Sequence, residues 1–239
     1  MQRTRSFPVT CLILLLSVGL PTLAGHRSRQ PDRSFQVRLG GFFLDGDGPF
    51  WADNESIFTL DASDFDNTTV GLTYSHGFNR FFELDVNADF TNETVVSEYR
   101  DFVDGSGFPI LHDSTLRTTP MTVGMRFLPL GRAGAGKSKP VFFLGAGGGV
   151  NFWTYEEFGD FIDFSDPANP IILGDFRETG EAFVSYGVIG LELPLSPSFN
   201  LGFEARHFSS DDELKGDFAG LGKLDMGGWA GSVSANWRF

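Results

Sequence analysis

Apolar and polar residues alternate with a period of two along much of the chain, and the last eleven residues show it most plainly. Trp229, Gly231, Val233, Ala235, Trp237 and Phe239 fall on one side, and Ala230, Ser232, Ser234, Asn236 and Arg238 on the other. That period belongs to a strand with two unlike faces. Seven more runs of the kind precede it, at about 34–44, 68–76, 80–91, 116–128, 140–153, 181–194 and 199–209, with the eighth at 227–239. In the third, Phe82, Leu84, Val86, Ala88 and Phe90 share one face while Glu83, Asp85, Asn87 and Asp89 share the other. Helical periodicity is missing, and 27 Phe and 30 Gly outweigh the strong helix formers. The pattern predicts an all-β chain of eight antiparallel strands.

The connections alternate in length. Those at 77–79, 131–139 and 196–198 are short, and those at 45–67, 92–115, 154–180 and 210–226 are long. Short turns therefore collect at one edge of the sheet, together with both ends of the strand region, and long loops at the other. Transmembrane barrels have this asymmetry, with short inner turns and longer outer loops, and each run has about the length a tilted strand needs to cross a bilayer. A soluble lipocalin-type barrel would show the same alternation with its apolar face turned inward. Two features favour the membrane: charges of both signs on the polar face, and aromatic residues near the strand ends of the apolar face, including Phe82, Phe90, Phe127, Trp229, Trp237 and Phe239. The expected fold is an eight-stranded antiparallel up-and-down transmembrane β-barrel over residues 34–239.

The front of the chain carries a different signal. Arg3 and Arg5 precede an apolar run from Cys11 to Leu20, then Pro21 and the small-x-small Thr22-Leu-Ala24, which together predict a secretory signal peptide at 1–25 and a short periplasmic arm at 26–33. The single cysteine, Cys11, would leave with the leader, so no disulfide chemistry is expected.

The Trp237-Arg-Phe239 ending, the run Lys139 to Phe152 with its glycines and the strand end Val123-Gly-Met-Arg-Phe127 resemble the small eight-stranded outer-membrane β-barrels of the OmpA, OmpX and OmpW groups. The resemblance implies bacterial outer-membrane localisation, contact with outer-membrane lipid and lipopolysaccharide, and a monomer. It also implies that the final aromatic residues, Trp237 and Phe239, act as an assembly signal read by the barrel assembly machinery. It specifies architecture rather than activity.

Parity places Arg38, Arg126, Arg206 and Arg238 on the inner face together with Glu83, Asp85, Asp89 and Glu204. An eight-stranded barrel is only wide enough for its own side chains. Opposed charges in such a space are expected to pair, giving a lumen plugged without a wide aqueous pore. The net charge of −13 is concentrated in the long loops. That predicts solvated acidic outer loops, a place for divalent cations or cationic extracellular ligands, and no affinity for nucleic acid. Asp45-Gly-Asp47-Gly and Asp61-Ala-Ser-Asp64-Phe-Asp66 resemble fragments of calcium loops without the spacing of an EF-hand, and no cofactor is expected.

Two motifs suggest chemistry. Gly131-Arg-Ala-Gly-Ala-Gly136-Lys137-Ser138 fits the phosphate-loop pattern, but Pro140 and a strand follow where that motif needs a helix, so a flexible basic turn carrying Arg132, Lys137 and Lys139 is expected. His207-Phe-Ser209 is similar to the His-x-Ser of the PagL-type lipid A deacylases. That family would imply His207 as base, Ser209 as nucleophile and an acid, for which Asp225 has the right parity. The chain departs from the family in having Ser210 where the family has Asn, and no Glu on the last strand. The expected function is a structural or surface-interaction barrel without catalysis. The alternatives are this deacylase and an OmpW-like narrow conduit for small hydrophobic molecules.

Overall fold

The computed structural model describes residues 33–132 and 139–239; the leader at 1–25 and most of the arm lie outside them. Among the described residues there are nine strands: β1 (Arg33–Leu44), β2 (Asn67–Gly77), β3 (Phe82–Val103), β4 (Pro109–Phe127), β5 (Val141–Ile162), β6 (Ile171–Ser196), β7 (Phe199–Glu213), the short β8 (Lys223–Asp225) and β9 (Gly228–Arg238). Each long strand pairs antiparallel with the next, and β9 pairs with both β7 and β1, closing a ring of eight with no free edge. The register Leu39↔Val233 and Leu39↔Val70 illustrates the closure from both sides of β1. β8 stands outside the ring as a three-residue addition to β7.

The apolar face is outside. Leu39, Phe183, Val123 and Ile189 are 61, 74, 52 and 50 % exposed, whereas Gln36, Arg38, Asp85, Asn87 and Arg126 are buried. A lipocalin-type barrel would show the reverse, so this surface requires lipid around it. Aromatic residues border the apolar belt. Phe82 packs on Phe127 at 5.3 Å and Phe199 on Trp237 at 5.4 Å near the short-turn end, while Phe43, Phe90, Phe152, Phe183 and Trp229 mark the opposite rim. The membrane-spanning segments lie between these two girdles.

The eight runs read from the alternation match the lower part of every strand, but four strands continue well beyond them. β3, β4, β5 and β6 are 22, 19, 22 and 26 residues long, against 12, 11, 15 and 11 for β1, β2, β7 and β9. The expected long loops at 92–115 and 154–180 are therefore mostly strand, joined by tight turns at 104–108 and 163–170. Ten residues of β5 above Phe152 raise this wall roughly 25 Å over the belt. The loop at 45–67 also folds. A helix α1 (Pro49–Ile57) begins with proline in its first turn, and a 3-10 turn at Ala62–Phe65 follows, capped reciprocally by Asp61 and Asp64. A second 3-10 turn, Gly216–Phe218, comes from the connection after β7.

Candidate functional site

Two interiors are stacked along the barrel axis. In the lower one, Arg38 on β1 reaches Asp89 on β3 at 2.6 Å and Glu204 on β7 at 3.3 Å. Arg206 on β7 bridges the same two acids at 3.3 and 3.1 Å. Arg126 on β4 pairs with Asp85 and with Glu192 on β6, and donates to Gln36 Oε1 at 3.0 Å. Arg238 lies 3.9 Å from Glu83. The aromatic faces of Phe143 and Tyr186 take the Arg126 and Arg206 guanidinium groups at 4.5 and 4.7 Å. Small residues make room for these bulky groups. A Cβ at Gly71 would collide with the Arg38 guanidinium, and Gly124 and Gly147 leave space for the Tyr186 ring. At the outer end of this layer a cavity of about 10 Å³, lined in part by Thr118, Asn151 and Ser210, has room for a single water.

The structure brings all eight expected inward charges into this layer and adds two more. Arg132, expected in a flexible basic turn, instead enters the lumen, pairing with Glu83 and with Glu192 at 2.6 Å. Its pull is physical: without it, Glu83 and Glu192 would share only Arg126 and Arg238 in a space that penalises bare carboxylates. Glu192 has inward parity in its run, a signal that could have found it. Arg132 lies beyond its strand, where parity gives no signal. Residues 133–138 of the phosphate-loop match lie outside the described residues; the strand β5, not a helix, follows them.

The upper interior is aromatic. It is formed by the inner face of the β3–β6 wall, closed by α1 and the two 3-10 turns. Trp51 is fully buried, with Phe50 at 5.2 Å and Phe65 at 5.1 Å, and its indole N–H donates to the Asp225 carbonyl at 2.9 Å. Phe50 and Phe218 each pack edge-on against Tyr155 at 5.2 Å. Phe58 sits on Tyr99 at 4.8 Å and on His112 at 4.3 Å, and Phe161 packs against His112 and Phe176 at 4.9 and 5.1 Å. Burial pushes His112 down to about 4, so its ring is neutral. Burial likewise holds the Glu157 carboxyl up near 7, opposed by the hydrogen bond that the Tyr155 hydroxyl donates to it at 2.8 Å.

Several acidic residues of the expected loops accept hydrogen bonds from backbone N–H groups. Asp61 accepts from Ser63 N–H, Asp66 from Leu44 N–H, Asp104 from Ser106 and Phe108 N–H, and Asp163 from Ser165 N–H. These are turn and cap bonds, for which aspartate suits the geometry. No group of three or more metal-ligating side chains occurs among the described residues. Asp45 instead meets His207 at 2.9 Å, at the outer rim of the belt and beside Trp229, whose ring lies 4.7 Å from the imidazole. Ser209 is exposed on the same face of β7, while Ser210 points inward and accepts from Asn151 at 3.3 Å. Asp225 accepts from the Asp47 and Gly227 N–H groups, so the carboxylate at His207 is Asp45 and not Asp225. Trp237 and Phe239 lie exposed at the short-turn rim.

No family model matches the chain, and no curated protein is similar to it in sequence. Among solved structures, the chain is similar to the outer membrane protein OprG from Pseudomonas aeruginosa, with 16 % identity and a TM-score of 0.48 over 88 % of this chain and 97 % of that one. It is similar also to Ail, the attachment invasion locus protein of Yersinia pestis, solved with the heparin analogue sucrose octasulfate, with 13 % identity, a TM-score of 0.41 and coverage of 87 and 97 %. A third is Neisserial surface protein A, with 9 % identity, a TM-score of 0.43 and coverage of 86 and 94 %. The closed ring, the exposed apolar belt and the polar lumen decide the architecture by themselves: an eight-stranded outer-membrane-type β-barrel.

Proposed function

We propose that the protein is a non-conducting outer-membrane barrel that serves as a monomeric platform for its folded outer cap, and acts by surface interaction rather than catalysis. The observation that carries this reading is the pairing of five arginines with five carboxylates across the lumen. Guanidinium groups that bridge carboxylates on different strands resist displacement, because freeing one leaves a desolvated charge. Lipid and lipopolysaccharide surround the belt, and the Trp237 and Phe239 rim serves as the signal for the assembly machinery.

The test is single-channel conductance of the refolded mature chain in planar bilayers, after a gel shows that heating shifts its mobility. A heat shift without steady conductance is expected; a stable open level overturns the closed lumen. A second reading, an outer-leaflet ester hydrolase, draws on the His207–Asp45 hydrogen bond two residues from Ser209 on the lipid-facing side. Labelling of Ser209 by a serine-directed acyl-enzyme probe would establish it, and an unlabelled native chain would remove it.

A further inference from the structure

The cap contains a cleft that the barrel does not explain. It has a volume of about 230 Å³ and lies between α1, the wall and the second 3-10 turn. Its floor is aromatic, with Phe50, Phe58, Phe161 and Phe218 all buried and Phe176 half-buried. Asp53 and Asp217 stand exposed at its mouth, and Glu157, 7 % exposed, lies among its lining.

Glu157 is the unusual member. It accepts one hydrogen bond, from the Tyr155 hydroxyl, and no ion pair joins it to a cation among the described residues. The neighbouring Arg177 is turned away, bridging Glu156 on the outer face at 3.0 Å. A buried carboxylate without a cation is costly unless something supplies the charge. Aromatic faces beside a carboxylate are the chemistry that takes a soft, weakly hydrated cation, since ring quadrupoles attract the charge and the rings cover its methyl groups. An inorganic cation fits poorly, because no three ligating side chains converge to hold a metal ion among the described residues.

We propose that this cleft binds an alkylated ammonium group, with Glu157 meeting its charge, Asp53 and Asp217 drawing it to the mouth, and Phe50, Phe161, Phe176 and Phe218 packing on its alkyl groups. Such a group is carried by free quaternary amines and by the headgroup of phosphatidylcholine. The site requires the folded cap to face the outside but not a closed lumen, so a conducting barrel would leave it intact, and its failure would leave the conductance result unchanged.

The groups facing Glu157 are Tyr155 on its own strand, Tyr99 on β3, His112 on β4 behind Phe161, Asp53 on α1 and Asp217 on the 3-10 turn. His112 is neutral at pH 5.5 and above, whereas Glu157, held near 7, loses its charge by pH 5.5. Cation binding should therefore be present at pH 8 and fade on acidification.

The experiment is calorimetric titration of the refolded full chain in alkyl-glucoside micelles, which carry no ammonium group, with choline at pH 8.0 and 5.5. Saturable binding is expected at pH 8.0, weaker by about tenfold or more at pH 5.5, and the neutral isostere 3,3-dimethylbutan-1-ol should bind no better than at that reduced level. Glu157→Gln should lower affinity to a similar degree and abolish the pH dependence while the heat-shifted gel mobility is kept. Phe218→Leu, which preserves an apolar side chain, should weaken the cation and spare the alcohol. No binding at pH 8.0, equal binding of cation and alcohol, or an unchanged Glu157→Gln variant overturns the proposal. Binding of free phosphocholine without retention on phosphatidylcholine vesicles assigns a solute; retention on those vesicles, but not on phosphatidylglycerol vesicles, assigns a headgroup.

Discussion

The two interiors of this molecule obey opposite rules although the same strands build both. Between the girdles, Asp85, Asn87 and Asp89 point inward from β3 and Val86 and Phe90 outward; farther up the same strand Tyr99 points inward and Thr94 outward. What lies outside decides. Lipid accepts apolar side chains, so the lumen is left to charges that satisfy one another, whereas water above the membrane restores the ordinary preference for an apolar inside. The lumen is consequently held by directional pairs and the cap by area and shape.

Breaking the lower interior should have the larger effect. Arg126→Ala leaves Asp85 and Glu192 short of a partner in a space closed to water, and should cost about 3–5 kcal/mol, read as a fall in the urea midpoint of the gel-mobility shift. Trp51→Ala should cost about 3 kcal/mol locally. Proteolysis at residues 45–66 and amide exchange in α1 should rise while the barrel's mobility shift stays in place. A variant in which both regions fail together would show that the two interiors are one cooperative unit.

The titration of Glu157 sharpens the contrast further. Its folded carboxyl keeps a proton up to about 7, while an unfolded glutamate releases its proton near 4.3. The folded cap therefore binds more protons in that window. Its stability is greatest below the window, declines by about 3–4 kcal/mol as pH rises through it, and is level above. Amide exchange of the cap at pH-corrected rates checks this, and Glu157→Gln should flatten the profile. Smallest of all, Asp45→Asn removes only the half-exposed contact to His207 and should change stability by less than about 1 kcal/mol, within the error of most denaturation curves.

The eight strands of the ring, their closure and the inner face between the girdles were legible in the sequence because alternation there is uninterrupted and its parity constant. The wall was not, and the reason is visible at Phe152 and Trp153. Phe152 is the last outward aromatic residue of the belt and Trp153 the first inward one of the cap, its indole donating to Asp212 at 3.0 Å. The apolar parity inverts there without any break in the strand. A period-two pattern that changes phase reads as a pattern that ends, so the runs stop at the membrane surface and the remainder reads as loop. Thr118 and Arg117 on β4 mark the same inversion. In the lumen, Glu192 was within reach of parity, but Arg132 was not, since its side chain enters from a turn. The cleft carries no sequence signal of its own, because its residues come from two connections and two strands distant in sequence.

That dispersion bears on the order in which the molecule forms. The hairpins β3–β4 and β5–β6 are local in sequence and can pair early. By contrast α1, which sits between β1 and β2 in the chain, packs on Tyr155 of β5 and is tied through Trp51 to the Asp225 carbonyl, just ahead of β9. None of those neighbours is in position until the sheet has curled enough to bring its first and last strands together. Burial of Trp51 should thus be the last step of assembly, and its fluorescence a clock for barrel closure.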